Sequence, residues 1–359
     1  VTVLRIGART SQLAVTQAEA VGRQICAAGL YGAFELVGIT TRGDTDRRQL
    51  SQIGGTGLFT NAVRQALLAG ECDLVVHSAK DLPAADSPDF AMFFSAREAP
   101  CDVLYGKYPS IAELPAGARV GTGSPRRIGQ LLRLRPDVEA VPIRGNVPTR
   151  IARAGADLDA VIVARAGLAR LGITGGHDIP VAEMVPAPTQ GILALETLPG
   201  TRAAAAAAQV ESAEGRAVAL AERSFMVGIE AGCSTPVGAL ATVASGTDEL
   251  HLFARWTSPD GTASAEDEAT IRLELAAGAA QAANRAEPPT AGPVPQPGTE
   301  LVSEPGREPA SNSGTEPQVK AAPAAAHADP RELGFRLAAK LLEALGPAAQ
   351  SIGRETEGK

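Results

Sequence analysis

The chain has 359 residues, 45% of them hydrophobic and 20% charged, and carries a formal net charge of −7. That length and apolar content allow two or three domains with real cores, while the acidic balance argues against a general affinity for nucleic acid or anionic membrane. The first residues, Val1 to Gly7, read as a strand and not as a signal peptide, and no apolar run is long enough to span a bilayer, so a soluble cytoplasmic protein is the expectation.

Strand-like and helix-like segments alternate through the first two hundred residues. Leu4 to Gly7 reads as a strand, and Arg9-Thr10-Ser11-Gln12 leads into a helical pattern to about Ala28, with Ser11 or Thr10 as N-cap. Phe34 to Ile39 reads as a second strand. The polar stretch Thr40 to Gln49 has no periodicity and is expected to be a mobile loop of the lid kind. Gly54-Gly55-Thr56-Gly57-Leu58-Phe59 opens the next helix; its glycines could bring backbone N–H groups to an anion, and turn chemistry explains them equally well.

The apolar run Leu74-Val75-Val76 then breaks into His77-Ser78-Ala79-Lys80-Asp81-Leu82-Pro83, where Pro83 prevents a regular ladder from continuing. A buried parallel strand delivers residues in this way to the crevice beyond its carboxyl end. Asp81 either satisfies the turn before Pro83 or stands as a single carboxylate among the arginines that follow.

Phe90 to Ser95 and Cys101 to Tyr105 read as strands that carry the chain into a second α/β unit. There Arg119 to Arg127 is a strand, a glycine turn and a helix start, with Ser124 as N-cap and Pro125 at the first helical position. Arg126 and Arg127 oppose the dipole at that helix start, which suggests either an anion beside them or a solvated basic pair. Val141 to Arg150 repeats the design with Arg144, Gly145 and Arg150. Asp159 to Ala164 is the next strand and Arg170 follows it, so three strand ends bring arginine to one rim of a sheet.

Pro186 to Glu196 reads as a connection and a strand returning to the first unit. Ala203 to Ala208 and Glu211 to Val227 read as helix. Gly232-Cys233-Ser234-Thr235-Pro236 forms a loop before three strands near Ala239–Ala244, Leu250–Thr257 and Ala269–Leu275. From about Ala277 to Asp329 the composition is low-complexity and disorder is expected. Arg331 to Leu345 restores helical spacing, which makes the linker an insertion in the third domain; such an insertion is tolerated because loop closure costs only ~0.6 kcal/mol per doubling of length. Cys26, Cys72, Cys101 and Cys233 show no C-x-x-C spacing and the four histidines no metal-ligand pattern, so no protein-held metal is expected.

Taken together, these segments resemble the porphobilinogen deaminase (hydroxymethylbilane synthase) family. The resemblance runs through Ile6 to Ala14, Thr41 to Asp44, Gly54 to Phe59, His77 to Pro83, Gly121 to Arg127, Ile143 to Val147, Pro188 to Gly191 and Gly232 to Pro236, in the family's order. It implies two α/β domains like the lobes of periplasmic binding proteins with the active-site cleft between them, plus a small α+β C-terminal domain. Domain 1 would be residues 1–97 and 190–209, domain 2 98–189, and domain 3 210–276 and 330–359, with 277–329 the insertion. The implied reaction condenses four porphobilinogen molecules head to tail, releases ammonia at each step and yields hydroxymethylbilane. It proceeds on a self-assembled dipyrromethane cofactor attached through a thioether, and the family favours a monomer.

By motif, Asp81 matches the catalytic aspartate and Cys233 the attachment cysteine. Lys80, Thr122, Ser124, Arg126, Arg127, Gly145 and Arg150 are the expected cofactor contacts, and Arg9, Ser11, Arg144, Arg150, Arg170 and Gln190 the expected substrate contacts. Guanidinium groups suit the acetate and propionate side chains of each pyrrole. Four features depart from the family pattern: Thr56 where Lys is frequent, Pro125 where Leu is usual, Thr197-Leu198 where Cys-Arg is frequent, and the inserted linker. A two-lobed anion-binding protein without covalent chemistry is one rival reading, which the Cys233 loop and third domain set apart; a catalytically weakened paralogue, suggested only by Thr56 and the missing Cys-Arg, is the other.

Overall fold

In the computed structural model the described residues are 2–40, 60–231, 235–244, 247–273 and 329–346. The expected lid at Thr40–Gln49 (beyond Thr40 itself), the glycine turn with Thr56, the Gly232–Ser234 segment with Cys233, and the low-complexity insertion up to residue 328 lie outside them.

The first sheet starts from β1 (Val3–Arg9), in which Leu4, Ile6 and Ala8 are buried. Ser11 then ends the extended backbone and accepts the Ala14 N–H, capping α1 (Gln12–Ala27). Ala18, Val21 and Ile25 recur at helical spacing on α1 and pack over the sheet. The strands β2 (Ala33–Ile39), β3 (Leu74–Ser78), β4 (Ala91–Phe94) and β10 (Leu193–Thr197) complete the order β2-β1-β3-β10-β4. β1, β2 and β3 are parallel, whereas β10 runs antiparallel to both of its neighbours. The helix α2 (Asn61–Leu68) sets Val63, Ala66 and Leu67 against the other face.

The second sheet repeats this plan. Its strands are β5 (Asp102–Gly106), β6 (Arg119–Gly121), β7 (Glu139–Val141), β8 (Ala160–Ala164) and β9 (His177–Asp178), in the order β7-β6-β8-β5-β9. β6, β7 and β8 are parallel and β5 is antiparallel to β8 and β9. In both sheets, then, an antiparallel strand entering from a crossing segment sits fourth, beside three parallel strands. The helices α3 (Pro125–Leu134), α4 (Val147–Ile151) and α5 (Arg165–Arg170) each follow the carboxyl end of one parallel strand, which places their first turns along a common edge. The fold is α/β in these two lobes, with a small α+β domain after them.

That third part is an antiparallel sheet of β11 (Val237–Val243), β12 (Glu249–Thr257) and β13 (Ser264–Arg272), packed with α7 (Ala213–Gly228) and α8 (Pro330–Leu345). Leu333, Leu337 and Leu341 of α8 meet Phe225 of α7 and Leu250 and Leu252 of β12 in one core. Each such side chain contributes about 1.5–3 kcal/mol by burial. α8 can approach α7 this closely only because of Gly334, where a Cβ would lie 2.2 Å from the Ala221 carbonyl oxygen.

Three local differences from the sequence reading have physical causes. β13 starts at Ser264, five residues early, because Ser264 to Glu268 alternate polar side chains toward solvent while the backbone pairs with β12. β9 is a two-residue edge strand with no apolar signal. The helical run is broken between α6 (Arg202–Val210) and α7, where Glu211 is extended and Ser212 caps the new helix through the Gly215 N–H.

Candidate functional site

The chain leaves β3 at Ser78 and makes a single 3₁₀ turn, Ala79–Asp81. Ala79 anchors this turn: it is 1% exposed and its N–H donates to Ile192 O at 3.0 Å. Leu82 is buried on the same side, so Ser78, Lys80 and Asp81 turn away from the core. Gln17 of α1 donates to the Ser78 hydroxyl at 3.0 Å. The exposed Asp81 side chain opens into a cleft of about 430 Å³ that it shares with Arg9, Ser11, His77 and Ser78.

A second space of about 540 Å³ lies between the lobes, lined by Ser78 and Lys80 from the first lobe and Arg127, Arg150 and Arg170 from the second, with Gln190 and Gly191 of the crossing segment. Burial and the nearby Arg127 push the Lys80 ammonium down to about 8, against the pull of Asp81 and Asp102. Arg150 is likewise lowered by burial, by Arg127 and by Arg144, with Asp81 opposing. Gly145 positions this arginine. Its φ of +104° is a left-handed conformation that disfavours a side chain, and its carbonyl accepts Arg150 Nε at 2.7 Å. Arg170 is held at the rim by Glu98 at 2.9 Å and by the Gly191 carbonyl at 2.9 Å.

The anion that offsets the two arginines at the start of α3 is internal. Asp102, fully buried at the start of β5, accepts Arg126 Nη2 at 2.8 Å and Arg127 Nη2 at 2.6 Å. Burial opposes its ionisation, but the two guanidinium groups outweigh that and hold its carboxyl well below the usual range. Arg126 also donates to Val185 O at 2.6 Å and lies behind the cleft wall; Arg127 donates to Ile162 O at 3.0 Å and reaches the cleft lining. Thr122 is 1% exposed and its hydroxyl accepts the Ser124 N–H at 3.3 Å, so it shapes the turn from inside, while Ser124 is half-buried. Arg144 is exposed beside Gly145.

Gln190 joins the lobes. Its Nε2 donates to Pro100 O at 2.7 Å and to Asp102 Oδ1 at 2.9 Å, which leaves its oxygen to accept Lys80 Nζ at 3.1 Å. A continuous path therefore runs from the residue beside Asp81, through the crossing segment, to the arginine pair of the second lobe. Of the expected contact residues, Lys80, Arg127, Arg150, Arg170 and Gln190 line one space, Arg9, Ser11 and Asp81 the other, and Arg126 and Thr122 lie behind the wall; Ser124, Arg144 and Gly145 line neither space. Cys233 lies outside the described residues.

Sequence reasoning missed Asp102, and it missed two further buried carboxylates. Glu196 of β10 accepts Arg64 Nη2 at 2.5 Å and lies 3.0 Å from His77 Nε2. Despite burial, the hydrogen bonds from His77 and Arg64 hold its carboxyl down to about 2. Glu222 of α7 pairs with Arg97 at 2.7 Å and accepts the N–H groups of Thr189 and Ala241; burial pushes its carboxyl up against those partners. The available signal was a lone acid in an otherwise apolar strand or helix face, which folds only with a buried partner.

The cleft suits an acidic ligand. Among the described residues, Lys80, Arg127 and Arg150 at the cleft are set against Asp81 and Asp102, and Asp102 is already shared with Arg126 behind the wall. A carboxylate-bearing chain would supply the missing charge.

The family model "Porphobilinogen deaminase, dipyromethane cofactor binding domain" matches residues 4–206, and "Porphobilinogen deaminase, C-terminal domain" matches residues 217–285. The porphobilinogen deaminase of Leifsonia xyli subsp. xyli is 47% identical over 270 residues, 72% of this chain and 81% of that protein. That of Mycolicibacterium paratuberculosis is 46% identical over 253 residues, 69% of this chain and 79% of its own length. The Thermobifida fusca protein is 42% identical over 291 residues, 79% of this chain and 90% of that protein.

Proposed function

The chain belongs to the porphobilinogen deaminase family, and from that premise we propose that Asp81 is its catalytic carboxylate, set in a cationic cleft that holds the acidic pyrrole chain. The protein is an enzyme of tetrapyrrole biosynthesis that condenses four porphobilinogen molecules head to tail to hydroxymethylbilane, with release of ammonia. Its first matched region is the dipyrromethane-binding part of the family.

When bound, the dipyrromethane supplies the pyrrole end onto which substrate is added. Cys233 is the residue that would hold it by a thioether. Lys80, Arg127 and Arg150 would bind its carboxylates with the Ser124 hydroxyl, each charged contact worth about 1.5–3 kcal/mol. Arg126 and Thr122 act from behind, through Asp102 and the Ser124 backbone, and Gly145 orients Arg150. Arg9, Ser11, Arg144, Arg170 and Gln190 are assigned to incoming substrate, with Arg150 serving both.

Losing ammonia from the aminomethyl group leaves positive charge on the substrate pyrrole. The arginines cannot stabilise that charge; a carboxylate placed beforehand can, and it also accepts pyrrole N–H bonds. The observation that carries this reading is the opening of the Asp81 side chain into one cleft with Arg9 and Ser11, one residue from Lys80.

Asp81→Ala is expected to fold, to retain the cofactor adduct, and to lose at least ~10²-fold in turnover. In intact-mass measurement the wild type should carry two extra pyrrole units that Cys233→Ser lacks. Near-normal product formation by Asp81→Ala would remove its assignment. The proposal includes a cytoplasmic monomer whose lobes divide at residues 97/98 and 189/190, the first tested by sedimentation equilibrium.

A further inference from the structure

The segment Leu82–Phe90 leaves the Asp81 turn with little backbone support of its own. Leu82 N–H donates to Ala79 O at 3.2 Å and Phe90 N–H to Ser87 O at 3.3 Å, both local bonds. Side chains must therefore set its path. Leu82 is buried in the core that holds Val218 and Phe225 of α7. The other fixed point is Asp86, whose Oδ1 accepts Arg223 Nη2 at 2.9 Å and whose Oδ2 lies 3.6 Å from Arg331 Nη2.

The contact is buried on one side only: the Asp86 side chain is 51% exposed, whereas that of Arg223 is 6% exposed. Arg223 lies buried on α7, and its Nε has no hydrogen-bond partner among the described residues. A buried guanidinium needs a carboxylate, and Asp86 is the one the structure presents to it. The preceding residue, Glu222, grips the crossing segment through the Thr189 N–H and Arg97. Two consecutive side chains of one third-domain helix thus hold the segment after Asp81 and the segment before Gln190. Arg331 is the second residue of α8, so the outer arm of the contact lies in the first turn of the helix that follows the insertion.

We infer that Asp86 and Arg223 form a clamp that fixes the Asp81 turn against α7, making Asp86 a positioning residue for turnover. The inference rests on the reading of Asp81 as the catalytic carboxylate. A carboxylate held within about an ångström of its productive place is needed for full rate, and its misplacement costs up to about 10²-fold.

The test uses the holoenzyme with Asp86→Asn, which keeps the shape and removes the charge, and Asp86→Glu, which keeps the charge. Asp86→Asn should lower kcat about five- to tenfold with KM within about twofold. Nicking by elastase beside Ala84 and Ala85 should speed up about tenfold, since cleavage follows the population of the released segment. Asp86→Glu should recover most of both. The clamp is overturned if Asp86→Asn leaves the nicking rate unchanged, if kcat stays within about twofold of wild type, or if Asp86→Glu is as impaired as Asp86→Asn. Because nicking does not depend on chemistry, a clamp that holds while Asp81→Ala keeps turnover would place the failure in the catalytic reading instead.

Discussion

Raising the pH through about 8 should remove one positive charge from the cleft, because burial and Arg127 push the Lys80 ammonium down to that value. Below it Lys80 is charged and able to bind a carboxylate; above it the amine is neutral. One charge-assisted contact is worth about 1.5–3 kcal/mol, and each 1.36 kcal/mol is a factor of ten in rate. The alkaline loss in kcat/KM is therefore expected to reach about ten- to a hundredfold. A bound carboxylate restores the charge on Lys80, so kcat should fall less than kcat/KM. The assay is product formation from about pH 6 to about pH 10 for wild type and Lys80→Arg, in which the guanidinium stays charged throughout. Ionisation of the substrate bends both profiles alike, so their ratio isolates Lys80. The sign for stability is opposite to that for binding. A lysine whose folded value lies below its ordinary 10.5 gains stability as pH rises from about 8 to that value, since only the unfolded chain still binds the proton there. A ratio that stays flat across the alkaline range would refute the reasoning.

Two further predictions address the buried carboxylates. Asp102→Asn leaves Arg126 and Arg127 buried without an anion and should destabilise the protein by about 3–5 kcal/mol in urea unfolding at neutral pH; an unchanged midpoint would mean that the pair relaxes into solvent. Glu196 is held at about 2 against an ordinary 4.5, so its stabilisation is complete above about 4.5 and lost as pH falls toward 2. Glu196→Gln should flatten that acid loss, measured as midpoint against pH, and identical acid limbs would exclude the His77–Glu196–Arg64 cluster as its source.

Much of this arrangement was legible from neighbours along the chain. A strand end followed by arginine and a helix start was readable after β6, β7 and β8, because period and Pro125 are local properties; of the three helices only α4 has a side-chain cap, from Asn146, and the expected cap Ser124 makes no such bond. So was the buried stripe of α8, with Leu333, Leu337 and Leu341 one turn apart. The unfavourable placement of Arg126 and Arg127 at a helix start leaves an anion or a solvated basic pair open, and the structure decides for an anion, Asp102. Asp102 lies 24 and 25 residues away from them and reads in the sequence only as part of the ordinary strand Cys101 to Tyr105.

By itself, then, the sequence determined the alternation of elements, the family, and the supply of cations to one rim, since each depends on residues close together in the chain. Tertiary structure alone decided how those cations are used. It turns Arg126 inward to Asp102, leaves Lys80 and Arg150 at the cleft, and ties Asp86 to Arg223 across 137 residues. Which carboxylate satisfies a buried guanidinium depends on the strand order and on where the crossing segments pass, and local periodicity carries no record of either.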